Sequence, residues 1–317
     1  MEEIINWLLE DSNPSVKYYT IKNILGEKFN WQAENKLKKH ILQSEQVKKI
    51  LSLRDRAGWW ISDNYSFNPL YKSTFWQVYF LSVLGATREL KAIDRSVRLC
   101  VKNMQSETGS FPSRERYTGN LICIQGLALE MFLRLGYEQE EFTSSLIDFI
   151  TGIVFRNDFR CKYRGQLKCP WGAIKVLKAF NLIPERLRNP VITSTINKAI
   201  KFLIRYDIVE ANYPRKKTRS PHWSLFGFPS GIRSDILELT GALVDSGCEK
   251  KNSNLKNALK YIYAKKDKDG FWKMEHSLNG KMLVDIERKN KPSKWVTYFA
   301  LKTLLKSDYV RFKKPGD

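Results

Sequence analysis

Ala57-Gly58-Trp59-Trp60, Thr108-Gly109-Ser110-Phe111 and Asp269-Gly270-Phe271-Trp272 are three copies of one short pattern, a glycine followed within two residues by a large aromatic ring. Each copy closes a stretch of helically spaced apolar residues and precedes another. The segments around Asn157 to Cys169 and Phe226 to Arg233 occupy corresponding places with the pattern altered or lost. The helices that follow these five segments are predicted to start near Lys72, Thr118, Cys169, Arg233 and Pro292, a period of roughly 45 to 65 residues that holds a helical hairpin. One hairpin cannot bury its own apolar face, so successive hairpins must stack, as an open solenoid or a closed ring. Six of them suit a ring, and the expectation is an all-α (α/α)6 toroid.

Working outward, apolar periodicity predicts helices near 3–10, 14–25, 34–53, 72–85, 91–104, 118–135, 140–155, 169–181, 190–206, 233–246, 253–265 and 292–306, and no strand. Ser12-Asn13-Pro14 reads as a cap followed by proline at the first helical position, and Gly26, Gly85 and Gly136 stand where helices should end. No linker or composition shift divides the chain. It reads as a single domain over 1–317, with N-terminal helices at 1–53, hairpin repeats at 54–306 and a basic tail at 307–317.

The 317 residues are 43% hydrophobic and 13% aromatic, which excludes disorder for the bulk of the chain. No apolar run approaches the roughly 20 residues that span a bilayer, and the first residues are acidic where a secretory signal is basic, so a cytoplasmic protein is expected. Five scattered cysteines argue against a disulfide framework. The formal net charge is +21. Such a charge attracts nucleic acid or an anionic surface, or it is simply a lysine-rich solvated exterior.

The glycine-aromatic turns, at this period and over most of residues 50 to 306, resemble those of the terpenoid cyclase and protein prenyltransferase toroid superfamily, with its prenyltransferase and squalene-oxidase repeats. Thr118-Gly119-Asn120, Phe226-Gly227-Phe228-Pro229 with Asp235-Ile236-Leu237-Glu238, and Pro292-Ser293-Lys294-Trp295 are similar to a set of bacterial and archaeal repeat proteins without an assigned activity. The resemblance implies a central cavity lined by rings that can stabilise cations. The superfamily's catalytic signatures are missing: neither Asp-X-Asp-Asp nor Asp-Asp-X-X-Asp occurs. Protein prenyltransferases hold zinc through an Asp, a Cys two residues later and a distant His; Asp158, Cys161 and His222 offer those residue types with a spacing of three.

In a toroid all inner helices begin on one rim, and their free N–H groups attract anions there. The loops leading to that rim carry Lys72, Arg114, Arg116, Arg160, Lys162, Arg164, Lys168, Arg233 and Lys294. The sequence thus predicts a basic mouth over an aromatic cavity that binds an isoprenoid-like or other amphipathic anion. Its candidate ligand-binding residues are Trp76, Tyr117, Asn120, Trp171, Arg233, Lys294 and Trp295, with Asp235 as the acid on an inner helix. Trp59, Phe111 and Trp272 are expected to be turn staples. Rings at hairpin turns also serve as plain packing.

Three further readings stay open. Cys161, Cys169 and His222, with His276 or Asp235, are zinc-ligand types near the proposed mouth, although Cys-X7-Cys is no zinc-finger spacing and buried cysteine is often only packing. Asp235 with Glu238, and Glu275 with Glu287, offer the carboxyl pair of a carbohydrate-active enzyme, although acidic residues also favour helix starts. A scaffold binding nucleic acid would use Tyr213-Pro214-Arg215-Lys216-Lys217-Thr218-Arg219, Lys250-Lys251, Lys265-Lys266-Asp267-Lys268 and Arg311-Phe312-Lys313-Lys314.

Overall fold

Burial separates the helices into two kinds. In α5 (Thr74–Val83) every residue is buried, whereas in α6 (Lys91–Met104) only Ile93, Ser96, Val97, Cys100 and Met104 are, three and four residues apart. A helix buried all round is interior and a helix buried on one stripe covers it. The same alternation continues through inner α7 (Ile122–Leu135), outer α8 (Glu141–Asn157), inner α9 (Pro170–Phe180), outer α10 (Pro190–Leu203), inner α11 (Ile236–Asp245), outer α12 (Ser253–Ala264) and inner α13 (Lys294–Lys306). The computed structural model describes residues 1–61, 68–111, 121–215 and 220–311. Ahead of α5 it places α1 (Glu2–Leu8), α2 (Pro14–Thr20), a wider π-type turn at Ile21–Leu25, α3 (Trp31–Gln43) and α4 (Glu45–Ser52).

The inner helices pack in chain order, α5 on α7, α7 on α9, α9 on α11 and α11 on α13, and α13 packs on α2. Ser15 Oγ donates to the Leu84 carbonyl at 2.6 Å, which joins α2 to the end of α5 and closes the ring. Neighbouring inner helices run the same way because an outer helix returns the chain between them. Thus Gly126 of α7 lies against Lys175 of α9, and Asn181, just beyond α9, donates to the Ala242 carbonyl of α11. The fold is an all-α toroid of helical hairpins.

The three glycine-aromatic turns share one hydrogen-bond scheme. Asp55, Ser106 and Asp267 each donate their N–H to the carbonyl four residues on, at 2.8, 3.0 and 2.8 Å. The ring that follows is tied to the next inner helix: Trp60 N to Thr74 Oγ1 at 2.9 Å, Phe111 N to Gln125 Oε1 at 2.7 Å, Trp272 N to Thr297 Oγ1 at 3.0 Å. The indole N–H groups of Trp60 and Trp272 reach back to the Ile50 and Ile262 carbonyls. The staple of the first turn is therefore Trp60, not Trp59, because the hydrogen bonds select the second residue after the glycine. A Cβ on Gly109, at φ +85°, would stand 2.3 Å from the Ser145 carbonyl oxygen, so glycine is required there.

Local structure departs from the sequence expectation in three places. The single helix expected at 34–53 is two, α3 and α4, because Ser44 is extended (ψ 149°) and its hydroxyl bonds the Ile41 carbonyl. The helix expected at 14–25 widens into the π-type turn before Gly26. One short strand pair, β1 (Arg160–Cys161) and β2 (Leu167–Lys168), stands where no strand was expected.

Gly126→Ala tests how closely α7 and α9 approach. Helix propensity alone gives alanine an advantage of about 1 kcal/mol. A Cβ there would lie 2.7 Å from the Lys175 carbonyl carbon, so chemical denaturation should instead show a net loss of about 1–3 kcal/mol. A stabilised variant would refute the close contact.

Candidate functional site

The ring encloses a cavity of about 660 Å³ bordered by α2, α5, α7, α9, α11 and α13. Two chemistries line it. Toward the starts of α11 and α13, Phe228 and Trp295 stack with centroids 4.0 Å apart, and Phe299, Tyr19 and Tyr298 extend the aromatic wall. The Trp295 Nε1–H is buried there without a hydrogen-bond partner, a donor left without an acceptor.

The rest of the wall is charged and organised around carboxylates. Glu238 of α11 accepts from Lys175 Nζ with both oxygens at 2.7 Å and from Lys178 Nζ at 2.9 Å. Lys178 also reaches Glu130 of α7 at 3.1 Å, and Glu130 accepts from Arg134 Nε at 2.8 Å. Lys302 and Lys306 share Asp245 at 2.7 and 2.9 Å. Lys22 and Lys38 both approach Glu34 at 3.6 Å. Among the described residues three cations thus pair with two carboxylates in the first cluster, and two pair with one in each of the others.

In the first cluster burial and charged partners act against each other, and the outcome differs from group to group. It raises the Glu238 carboxyl, but Lys175 and Lys178 overcome this and hold it at about 2. Burial also raises Glu130, which Lys178 and Arg134 bring below its ordinary value. Burial lowers the Lys175 ammonium despite Glu238. Burial also prevails at Asp235 and pushes its carboxyl up to about 7, although it accepts from Glu238 N at 2.8 Å and Gly227 N at 3.2 Å. At neutral pH it is poised between acid and base, beside the aromatic wall.

The exposed lining residues, Lys22, Asn23 and Lys306, lie toward the ends of the inner helices, not their starts. Among the described residues the starts are closed by buried Phe75, Trp76, Ile122, Ile236 and Trp295. The basic opening thus sits on the rim opposite to the one expected from the sequence, at the ends of the inner helices and not at their starts. The last turns of α7, α9 and α13 carry Arg134, Lys178 and Lys306, and a helix C-terminus favours cations.

Of the residues singled out from sequence, Asp235 and Trp295 line this cavity, and so does Glu238. Trp76 is fully buried among Tyr71, Phe75 and Tyr79. Lys294 pairs with Glu10 at 2.8 Å and Ser12 at 2.7 Å, outside the cavity. Arg233 is exposed and stands 6.0 Å over the half-buried Trp171 ring, also outside. Tyr117, Asn120, Arg114, Arg116, 216–219 and 312–314 lie outside the described residues. Glu275 accepts from the Phe226 N–H and Glu287 from the Lys294 N–H, so neither joins Asp235.

The zinc set is not assembled. Cys161 and Cys169 meet beside β1 and β2, Asp158 pairs with Lys168, and His222 lies against His276. Among the described residues no three His, Cys, Asp or Glu side chains are placed to hold a metal ion. The hairpin gathers the two thiols, but Trp223 Nε1 ties the His222 segment to the Ile208 carbonyl instead.

Glu130, Arg134, Lys175, Lys178, Asp245 and Lys302 were not anticipated. For all but Asp245 a signal was available: charged residues three or four apart within helices that otherwise read as largely apolar.

Among solved structures, the chain is similar in fold to an unsaturated glucuronyl hydrolase specific for heparin, with a TM-score of 0.51 and 12% identity over 96% of this chain and 86% of that one. A type II terpene cyclase, MstE from Scytonema, aligns with 85% of this chain and 97% of its own at a TM-score of 0.32 and 12% identity. No protein-family model and no curated protein matches the sequence. At such identity the first likeness is one of fold, an α/α toroid.

Two outcomes test the site. Glu238→Gln strands the fully buried Lys175, and equilibrium unfolding should record a loss of about 3–5 kcal/mol. Asp235 is raised on folding, so its favourable contribution is complete below the unfolded carboxylate pKa and is lost as pH rises to about 7. The stability of the native protein relative to Asp235→Asn should therefore decline between about pH 4 and 7. A flat difference would mean that Asp235 is not buried as described.

Proposed function

We propose that the cavity receives an amphipathic small molecule with an apolar or ring-shaped body and two or three negative charges, of which an isoprenoid diphosphate is one form. The observation that carries this reading is the cation excess repeated in three separate clusters around one 660 Å³ space. The cations in excess, Lys22 and Lys306 among them, border the opening, where a polyanion would supply further negative charge. The opposite wall of Phe228, Trp295 and Phe299 suits the ligand's body, and the unpartnered Trp295 Nε1–H suits an acceptor on it. The raised carboxyl of Asp235, in the lining of the same cavity, supports a role for it in giving or taking a proton.

A sulfated or carboxylated sugar meets the same description, since sugar faces pack on aromatic rings. The two bodies are told apart by binding. Farnesyl diphosphate and a sulfated unsaturated disaccharide should be titrated against the protein by calorimetry at two salt concentrations. One of them should bind, less tightly at high salt, and should raise the melting temperature. Lys302→Gln with Lys306→Gln should weaken that binding by about tenfold, since each charge-assisted contact contributes on the order of 1.5–3 kcal/mol before solvent screening. Failure of both probes, or binding indifferent to this double substitution, would sink the proposal.

A further inference from the structure

Away from the cavity mouth, the loop before α11 and the loop of residues 274–293 are joined backbone to backbone. Glu275 and His276 N–H groups both donate to the Phe226 carbonyl, at 2.8 and 3.0 Å, and Gly227 bridges to His276. This brings the half-buried rings of His222 and His276 together, with centroids 4.3 Å apart. The Nδ1 atom of His222 is buried and has no hydrogen-bond partner.

The charges that bear on both rings are positive: Arg233, Lys281 and Lys289. All three are exposed, and none forms an ion pair with a described residue. The nearby carboxylates are engaged elsewhere. Glu275 accepts from Lys265 and the Phe226 N–H, Asp285 from the Gly280 N–H, and Glu287 from Ser293 and the Lys294 N–H. Burial first, then for His276 the neighbouring His222, and then these cations hold both imidazoles below their ordinary value, His276 at about 4. The pair is therefore neutral at pH 7, each ring keeping one N–H donor. A divalent metal ion would be repelled by the three surrounding cations, whereas an anion would relieve their mutual repulsion.

We infer that His222, His276 and Arg233, with Lys281 and Lys289 around them, form a second anion site, distinct from the central cavity, that takes the phosphoryl dianion of a small molecule. A tetrahedral dianion has enough oxygens to accept from two adjacent rings and a guanidinium at once. The Arg233 guanidinium stands 6.0 Å over the Trp171 ring, and its planar fork of N–H donors suits a phosphoryl group. The site does not depend on what fills the cavity.

The chain has only three histidines, so proton NMR of the imidazole Cε1–H signals reads the site directly, with His40 on α3 as an internal control. On titration with inorganic phosphate, the His222 and His276 signals should shift saturably while His40 does not. Because a bound dianion favours the protonated rings, both titrations should move to higher pH. Arg233→Gln should weaken the response at least tenfold. Lys281→Gln with Lys289→Gln, at exposed positions that leave folding intact, should weaken it several-fold. Signals that do not respond, or that respond equally in these variants, would overturn the inference. So would a response to a single-stranded oligonucleotide but not to inorganic phosphate, which would assign the patch to a polymer.

Discussion

Where the inner helices of this toroid bury charge between them, one helix answers the next. Glu238 of α11, Lys175 and Lys178 of α9, and Glu130 and Arg134 of α7 form one continuous chain of ion pairs across three helices. Each member is costly to bury alone and tolerable in company. The chain thereby fixes the rotation of the three helices about their axes and their relative height. A shift of one turn would separate Lys175 from Glu238 and leave both in the interior. Gly126 acts with it, since the missing side chain lets α7 approach the α9 backbone closely enough for the pairs to form.

That arrangement also divides the molecule into two ends of different character. At the helix starts, bulky rings and the glycine-aromatic staples close the space; at the helix ends, lysines and an arginine surround an opening. The hydrogen bonds of Trp60, Phe111 and Trp272 belong to the closed end and give each hairpin the same entry to its inner helix. The cations at the open end complement the helix dipoles and exceed the carboxylates that pair them. The carboxylates neutralise each cluster in part, which lets the neighbouring cations stand together.

The hairpin period and the glycine-aromatic pattern were legible in the chain because they are local. A turn that needs positive φ at Gly109 and a ring two residues later states its requirement within a few positions. The apolar stripe of α6 and the all-round burial of α5 likewise follow from composition along one helix. The break at Ser44 was hidden, since its extended backbone leaves the apolar periodicity of α3 and α4 almost unchanged. The staple was displaced by one residue, from Trp59 to Trp60, because two adjacent tryptophans read alike until a hydrogen bond chooses between them.

Sequence by itself determined that the chain is all-α and built of repeated helical hairpins, for which a toroid was the expectation; the contact of α2 with α13 and α5 closed the ring. It also marked Asp235 and Trp295, which line the cavity. Tertiary structure alone decided which end opens, which of the lysines face inward, and that Cys161, Cys169 and His222 do not converge. Helical periodicity reports the face of a single helix, whereas a site is made where several helices distant in sequence meet. Lys175 and Glu238 are 63 residues apart, and nothing in either segment records the register that brings them within 2.7 Å.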